Sequence, residues 1–316
     1  MRTIPTPPWA LLLAGGEGRR LQPLTRQISG DAQPKQFCPI FDGETLLDRT
    51  RRRADLLSRM DQHVVVVSRE HALYYASLAR DLAPDRLVVQ PLNAGTAAGV
   101  LYPLLRIRHL AGNVPVTIYP TDHYVSDEGI FVGSVASAVQ VVRQRPDLVV
   151  LMGVEAAAPE PEYGWIEPRE QPLPLPGEPA FPIRRFWEKP SARLAQRLFE
   201  RGALWNSFVM VGWVDALLGL TSRIAPDLLR ALEPLQHVIG SEQESRVAEQ
   251  VYRRLAVEPI GFSERVLARA SDGLVTVRVK GVEWSDWGHP ERVVATVRRT
   301  GWRPAWLGRV ELASAG

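Results

Sequence analysis

Trp9-Ala-Leu-Leu-Leu-Ala14 runs straight into Gly15-Gly-Glu-Gly-Arg-Arg20. Six apolar residues with no polar alternation read as a strand buried on both faces. The glycines at its carboxyl end let backbone N–H groups approach a phosphate that a Cβ would push away. The theme recurs at His63–Ser68, Arg86–Gln90, Val114–Tyr119 and Leu148–Met152, with helical patterns near 45–60, 70–82, 95–110 and 128–144 between. Apolar strands alternating with helices predict an α/β fold: a Rossmann-like, mostly parallel sheet flanked by helices. Such sheets bind ligands outside the carboxyl ends of their strands, where the glycine loop, Gln90 and the Asp122 segment all fall.

Near Ala156 the character changes. Residues 156–182 are rich in Pro and Glu and read as loop, Pro172-Leu-Pro-Leu-Pro-Gly177 above all. Beyond it we expect strands at Ile183–Trp187, Trp205–Val211 and Leu274–Val279, a helix from Ser191, several helices to about 254 and a final helix after Pro290. This divides the chain into residues 1–155 and a smaller α+β half, 156–316, forming one catalytic unit.

Composition narrows the function classes. In 316 residues, 45% are hydrophobic and 23% charged, and 38 Lys+Arg against 35 Asp+Glu leave a formal charge of +3. The arginines are scattered apart from Arg51-Arg52-Arg53, read as a solvated helix face, so nucleic acid is not an expected partner. Cys38 is the only cysteine and lies in an apolar context, which makes it a small core residue rather than a nucleophile. No apolar run approaches the roughly 20 residues needed to span a bilayer, and the stretch after Pro5, Pro7 and Pro8 is too short for a signal peptide. A cytoplasmic protein with no membrane partner is the expectation.

The most informative segment is Leu13-Ala-Gly-Gly-Glu-Gly-Arg-Arg-Leu-Gln-Pro-Leu-Thr25, followed by Gln33-Pro-Lys-Gln-Phe37. Arg20 offers a planar fork to phosphate oxygens and Lys35 a point charge. The dinucleotide fingerprint is excluded because Leu21 stands where its third glycine belongs. A P-loop is excluded because Gly18 is followed by Arg19-Arg20. Asp122 follows an apolar strand and a proline, and Asp286 sits between tryptophans in a stretch poor in charge. Two distant carboxylates with phosphate oxygens suit a hard, octahedral Mg²⁺; His123 is expected to be structural, because Mg²⁺ prefers oxygen.

These segments resemble the nucleotidyltransferases that make sugar nucleotides, and the Pro-Lys-Gln-Phe form looks like their mannose-1-phosphate guanylyltransferase branch. The resemblance runs from Leu11 to about Leu307. Gln90-Pro-Leu-Asn-Ala-Gly-Thr-Ala97 is similar to the base-recognition segment, Tyr119-Pro-Thr-Asp-His-Tyr-Val125 to the metal-site strand end, and Trp284-Ser-Asp-Trp-Gly288 to the second metal segment. Tyr163-Gly-Trp-Ile-Glu167, Trp187-Glu-Lys-Pro190 and Leu204-Trp-Asn-Ser207 look like sugar-side motifs.

The resemblance implies that 1–155 binds nucleotide and 156–316 the sugar phosphate. Gly15, Gly16, Gly18, Arg20, Gln90, Gly95 and Thr96 would take the nucleotide, and Gly164, Glu188, Lys189 and Asn206 the sugar phosphate. Arg20, Lys35 and Asp122 would serve catalysis, with Arg20 and Lys35 on the triphosphate, and Asp122 and Asp286 would hold Mg²⁺. The implied reaction joins a sugar 1-phosphate to a nucleoside triphosphate and releases pyrophosphate, with GTP and mannose 1-phosphate as the first pair. UTP or dTTP with a glucose-type phosphate is the alternative, a non-catalytic regulatory homologue the rival, and self-association into a homo-oligomer is left open.

Two departures stand out. Ala98 replaces the proline usual after the base segment, and Phe208 replaces a usual glycine after Asn-Ser. Val209, Met210 and Val211 favour a ring turned into a plain core strand; the other reading puts it in the sugar pocket, and leaves mannose less certain. The long guanylyltransferases carry a further C-terminal domain, for which this chain is too short.

Overall fold

The computed structural model describes residues 6–270 and 272–314, with side chains to Val310. Its strands are β1 (Trp9–Ala14), β2 (His63–Ser68), β3 (Leu87–Gln90), β4 (Pro115–Pro120), β5 (Tyr124–Val125), β6 (Val149–Glu155), β7 (Gly164–Pro168), β8 (Ala180–Glu188), β9 (Leu204–Trp213), β10 (Leu274–Val279) and β11 (Trp284–Ser285). Among the described residues nine of these form one sheet in the order β3-β2-β1-β4-β9-β6-β10-β8-β7, and β11 pairs with β5 separately.

The four strands from β3 to β4 are parallel, as their uninterrupted apolar runs require, and β6–β10 is parallel too. β9 enters antiparallel between β4 and β6, and β8 and β7 continue antiparallel at the far edge. Strands from before and after residue 155 therefore share one sheet. Its two faces are buried in strict alternation. Leu11, Val64, Val66, Val116 and Ile118 pack beneath helix Gly95–Ala111 and the helices of 214–255. Ala10, Leu12, Val65 and Val67 face helices Leu46–Asp55, Ala72–Asp81 and Glu128–Gln144.

Local chemistry sets the helix starts. Thr45 and Asp48 form a reciprocal capping box, Asp127 Oδ1 accepts from the Ile130 N–H at 2.9 Å, and Ser191 accepts from Leu194. The expected loop over 156–182 is overturned at its centre: Gly164–Pro168 is strand β7, because Trp165 and Ile166 are fully buried against β8 and β9. Beyond the expected helix after Pro290, a further helix, Leu307–Ser314, follows. Trp306, Leu307 and Val310 join Leu21, Leu24, Cys38 and Ile40 in a third core cluster. Cys38 is thus the buried core residue expected, and burial pushes its thiol up to about 12. No helix among the described residues is long and apolar enough to cross a membrane.

Candidate active site

A cleft of about 620 Å³ opens at the carboxyl ends of β1, β3 and β4. Gly15, Gly16, Arg20, Gln90, Gly95, Thr96 and Asp122 line one side, and Gly164, Glu188, Lys189, Asn206 and Asp286 the other. Twelve of the fourteen residues expected from sequence therefore meet in one cavity. Gly18 and Lys35 are the two that do not line it.

Thr96 does not present a free hydroxyl. Its Oγ1 accepts from the Phe262 N–H at 2.8 Å, and the Ala97 N–H donates to the Ile260 carbonyl at 3.0 Å. Gly95 adopts φ 82°, and a Cβ there would overlap the Ile260 backbone. The glycine is thus required by a clamp that brings Pro259, Gly261, Ser263 and Glu264 to the cleft wall. Sequence reading missed this segment because nothing in its own pattern signals a ligand.

Lys35 is 6% exposed, and its ammonium lies 3.1 Å from Asp122 Oδ2. It also donates to the main-chain carbonyl of Asp286 and to that of Trp287 at 3.4 Å. The expectation that Lys35 meets the triphosphate directly is corrected. Its charge links the Asp122 carboxylate to the main chain at Asp286, 251 residues from Lys35 itself. Burial pushes the Asp122 carboxyl up, but Lys35 and His123 outweigh it and hold the group below the usual range. Asp286 shows the same balance, with His123 and Lys35 opposing burial. His123 is edge-on to Trp284 with ring centroids 5.2 Å apart, and burial pushes its basicity down despite the carboxylates.

Asp286 Oδ1 accepts from the Gly288 N–H and from Arg292 Nη1, both at 2.8 Å. Arg292 is a residue the sequence did not flag. Its other nitrogen reaches Glu162 at 2.9 Å and Glu160 at 3.0 Å, and the guanidinium lies 4.8 Å over the Tyr163 ring. Arg20 Nη1 is 2.9 Å from His289 Nε2 and 3.6 Å from Glu162, so Glu162 gathers two arginines and a histidine at the rim. These partners are 127 to 269 residues apart or scattered through loops, and each alone reads as surface charge.

On the opposite wall Gly164 packs against Phe186, Glu188 and Asn206, where a Cβ would come within 3.0–3.3 Å of each. Burial pushes the Glu188 carboxyl up, with Lys189 opposing. The reading of Phe208 as plain core strand is corrected. The β6–β9 register shifts between Leu151 and Gly153, and Phe208 falls in that bulge with φ 60°, lining the cleft half-buried. The left-handed residue in this bulge fits the glycine expected there, and Phe208 both lines the cleft and packs against the core beneath helix Gly95–Ala111. Lys189 (φ 43°) and Trp287 (φ 44°) share that conformation, so three of the four such non-glycine residues described lie in or beside this site.

Comparison with known proteins identifies the family. A mannose-1-phosphate guanylyltransferase of Escherichia coli is 25% identical over 284 residues, covering 88% of this chain and 59% of its own length. The xanthan biosynthesis protein XanB of Xanthomonas campestris is 30% identical over 88% of this chain and 57% of its own length. The chain thus spans somewhat over half the length of these relatives. A Thermus thermophilus structure described as mannose-1-phosphate geranyltransferase superposes with a TM-score of 0.77 at 27% identity, covering 94% of this chain and 80% of that one. A UDP-glucose pyrophosphorylase complexed with UDP-glucose shares the fold at a TM-score of 0.54 and 16% identity, covering 94% of this chain and 99% of that one. The nucleotidyl transferase family model matches residues 9–296, nearly the whole described chain, and the chain belongs to that family.

Proposed function

We propose that this protein transfers a nucleotidyl group from a nucleoside triphosphate to a sugar 1-phosphate and releases pyrophosphate, with GTP and mannose 1-phosphate as the natural pair. The observation that carries the reading is that one ammonium joins the Asp122 carboxylate to the Asp286 main chain, in a cleft that both residues line between the glycine loop and the Gly164–Lys189–Asn206 wall. A phosphate oxygen of the sugar phosphate attacks the α-phosphorus. The new P–O bond forms as the bond to the β-phosphate oxygen breaks, with pyrophosphate leaving on the opposite side. Such a displacement needs positioning and charge neutralisation rather than a covalent intermediate.

Arg20 releases Glu162 and takes the triphosphate oxygens. Lys189, exposed and with no carboxylate within 4 Å among the described residues, neutralises the sugar phosphate. Asn206 accepts from or donates to sugar hydroxyls, and Glu188 accepts from them. Lys35 keeps Asp122 ionised from behind. The donor set suits a hard cation, since Asp122 and Asp286 offer oxygen only. The described residues hold no group of three or more metal-ligating side chains, so phosphate oxygens and water complete the shell. When bound there, Mg²⁺ supplies charge neutralisation between the two substrates. The guanylyl and mannose assignments draw on the relatives' names. The test is pyrophosphate release in a matrix of four triphosphates against several sugar 1-phosphates. GTP with mannose 1-phosphate should be fastest, and no release from any pair overturns the reading.

A further inference from the structure

Gln90 is 6% exposed and lines the cleft at the carboxyl end of β3. Its amide lies between two glycines. The nearest atom to a Cβ built on Gly15 would be Gln90 Nε2, and on Gly99 Gln90 Oε1, at 3.4 Å. The oxygen is already engaged, accepting at 3.2 Å from the Tyr252 hydroxyl, whose other acceptor within reach, the Ala98 carbonyl, is farther at 3.4 Å. Among the described residues no group accepts from Nε2. The nitrogen is not sealed away from the cleft that Gln90 lines, so a ligand there can supply its acceptor.

Tyr252 is fully buried, and burial holds its phenol well above the usual value, so it remains a donor. It is seated edge-on against Tyr102 with ring centroids 6.1 Å apart. The Tyr102 hydroxyl is itself engaged, donating to Glu244 Oε1 at 2.5 Å, and does not compete for Gln90. Glu244 is fixed in turn by Arg106 and by the Gly240 N–H at 2.7 Å.

We propose that Tyr252 is a positioning residue for nucleobase choice: it engages the Gln90 oxygen, so that the amide presents its N–H₂ to the base. A donor in that place suits a base with an oxo group, as in guanine, uracil or thymine. It meets a competing amino donor on adenine or cytosine. Tyr252 is 162 residues from Gln90 and does not itself line the cleft. The inference rests on the nucleotide site proposed above and deepens it to a class of base.

Calorimetric binding of GTP and of ATP without sugar phosphate, on wild type, Tyr252→Phe and Gln90→Glu, tests it. Wild type should favour GTP. Tyr252→Phe should bring the GTP-to-ATP affinity ratio about tenfold closer to parity, the scale of one hydrogen bond. Gln90→Glu, which replaces the donor by an acceptor, should invert the preference. A folded Tyr252→Phe protein with an unchanged ratio overturns the proposal, as does a wild type that prefers ATP. Should Tyr252→Phe not fold, an unchanged ratio in Gln90→Glu overturns it instead. Selective binding without pyrophosphate release in the turnover assay leaves this inference standing and overturns the catalytic one. No nucleotide binding at all overturns both.

Discussion

Phe208 holds its ring over the cleft on a backbone with φ 60°, a conformation that costs a non-glycine residue roughly 1–3 kcal/mol. Phe208→Gly therefore removes strain while losing half-buried apolar area. The two effects should cancel to within about 1 kcal/mol, where a fully buried ring would cost about 3–5. The melting temperature should move by only a few degrees, and bulkier sugar phosphates should be accepted in the substrate panel. A large drop in stability with an unchanged panel would show the ring to be core. The two aspartates admit a sharper experiment. Asp122→Asn and Asp286→Asn should each lower turnover by roughly two decades, and the double variant should lose little more, because either one dismantles a shared site. Costs that simply add would separate the two carboxylates. Residues of this kind were legible in sequence because a carboxylate at the end of an apolar strand has few bland explanations. Arg292 and Glu162 were not legible: their meaning lies in partners 127 to 130 residues away, which no local pattern encodes.

Among the elements, the strands most readily read from sequence were the ones buried on both faces, since an unbroken apolar run of six has almost no other home. β7 escaped because Pro and Glu crowd around it, and only tertiary contact with β8 and β9 makes Trp165 and Ile166 a strand. The last helix escaped for a related reason: its partners lie at the other end of the chain. Trp306 is 2% exposed, and its Nε1–H donates to the Ile40 carbonyl at 2.8 Å. Leu21 and Leu24, which follow Arg20 directly, belong to the same cluster. Trp306→Ala should cost roughly 3–5 kcal/mol in urea unfolding. It should also weaken triphosphate binding by loosening the segment that carries Arg20, while leaving the sugar-phosphate KM nearly unchanged. An equal rise in both constants would mean that the cluster supports the whole cleft and not the arginine segment alone.

Over the whole molecule, two histidines remote from the aspartates report on acidification. Burial pushes both His63 and His71 below their usual value, with Asp55 and Glu70 respectively opposing it only in part. Below about pH 6.5 the unfolded chain takes up protons that the folded chain refuses, so stability falls as pH falls, until the depressed folded values are reached. Each contributes a slope of up to about 1.4 kcal/mol per pH unit in that window. A His63→Gln, His71→Gln variant should show a flatter dependence of unfolding free energy between pH 7 and 5 than wild type. An identical slope would assign the acid sensitivity to other groups. A different consequence follows from Lys35, which reaches from near the start of the chain to the backbone of Asp286. Synthesis delivers the glycine loop first and its facing carboxylate about 270 residues later. A growing chain can therefore build the parallel strands and display its phosphate loop while half the chemistry has yet to be translated. Until Asp286 and Arg292 arrive, Lys35 has only Asp122 to answer it, and on the function proposed above the nascent protein would hold a nucleotide site with no means of using it.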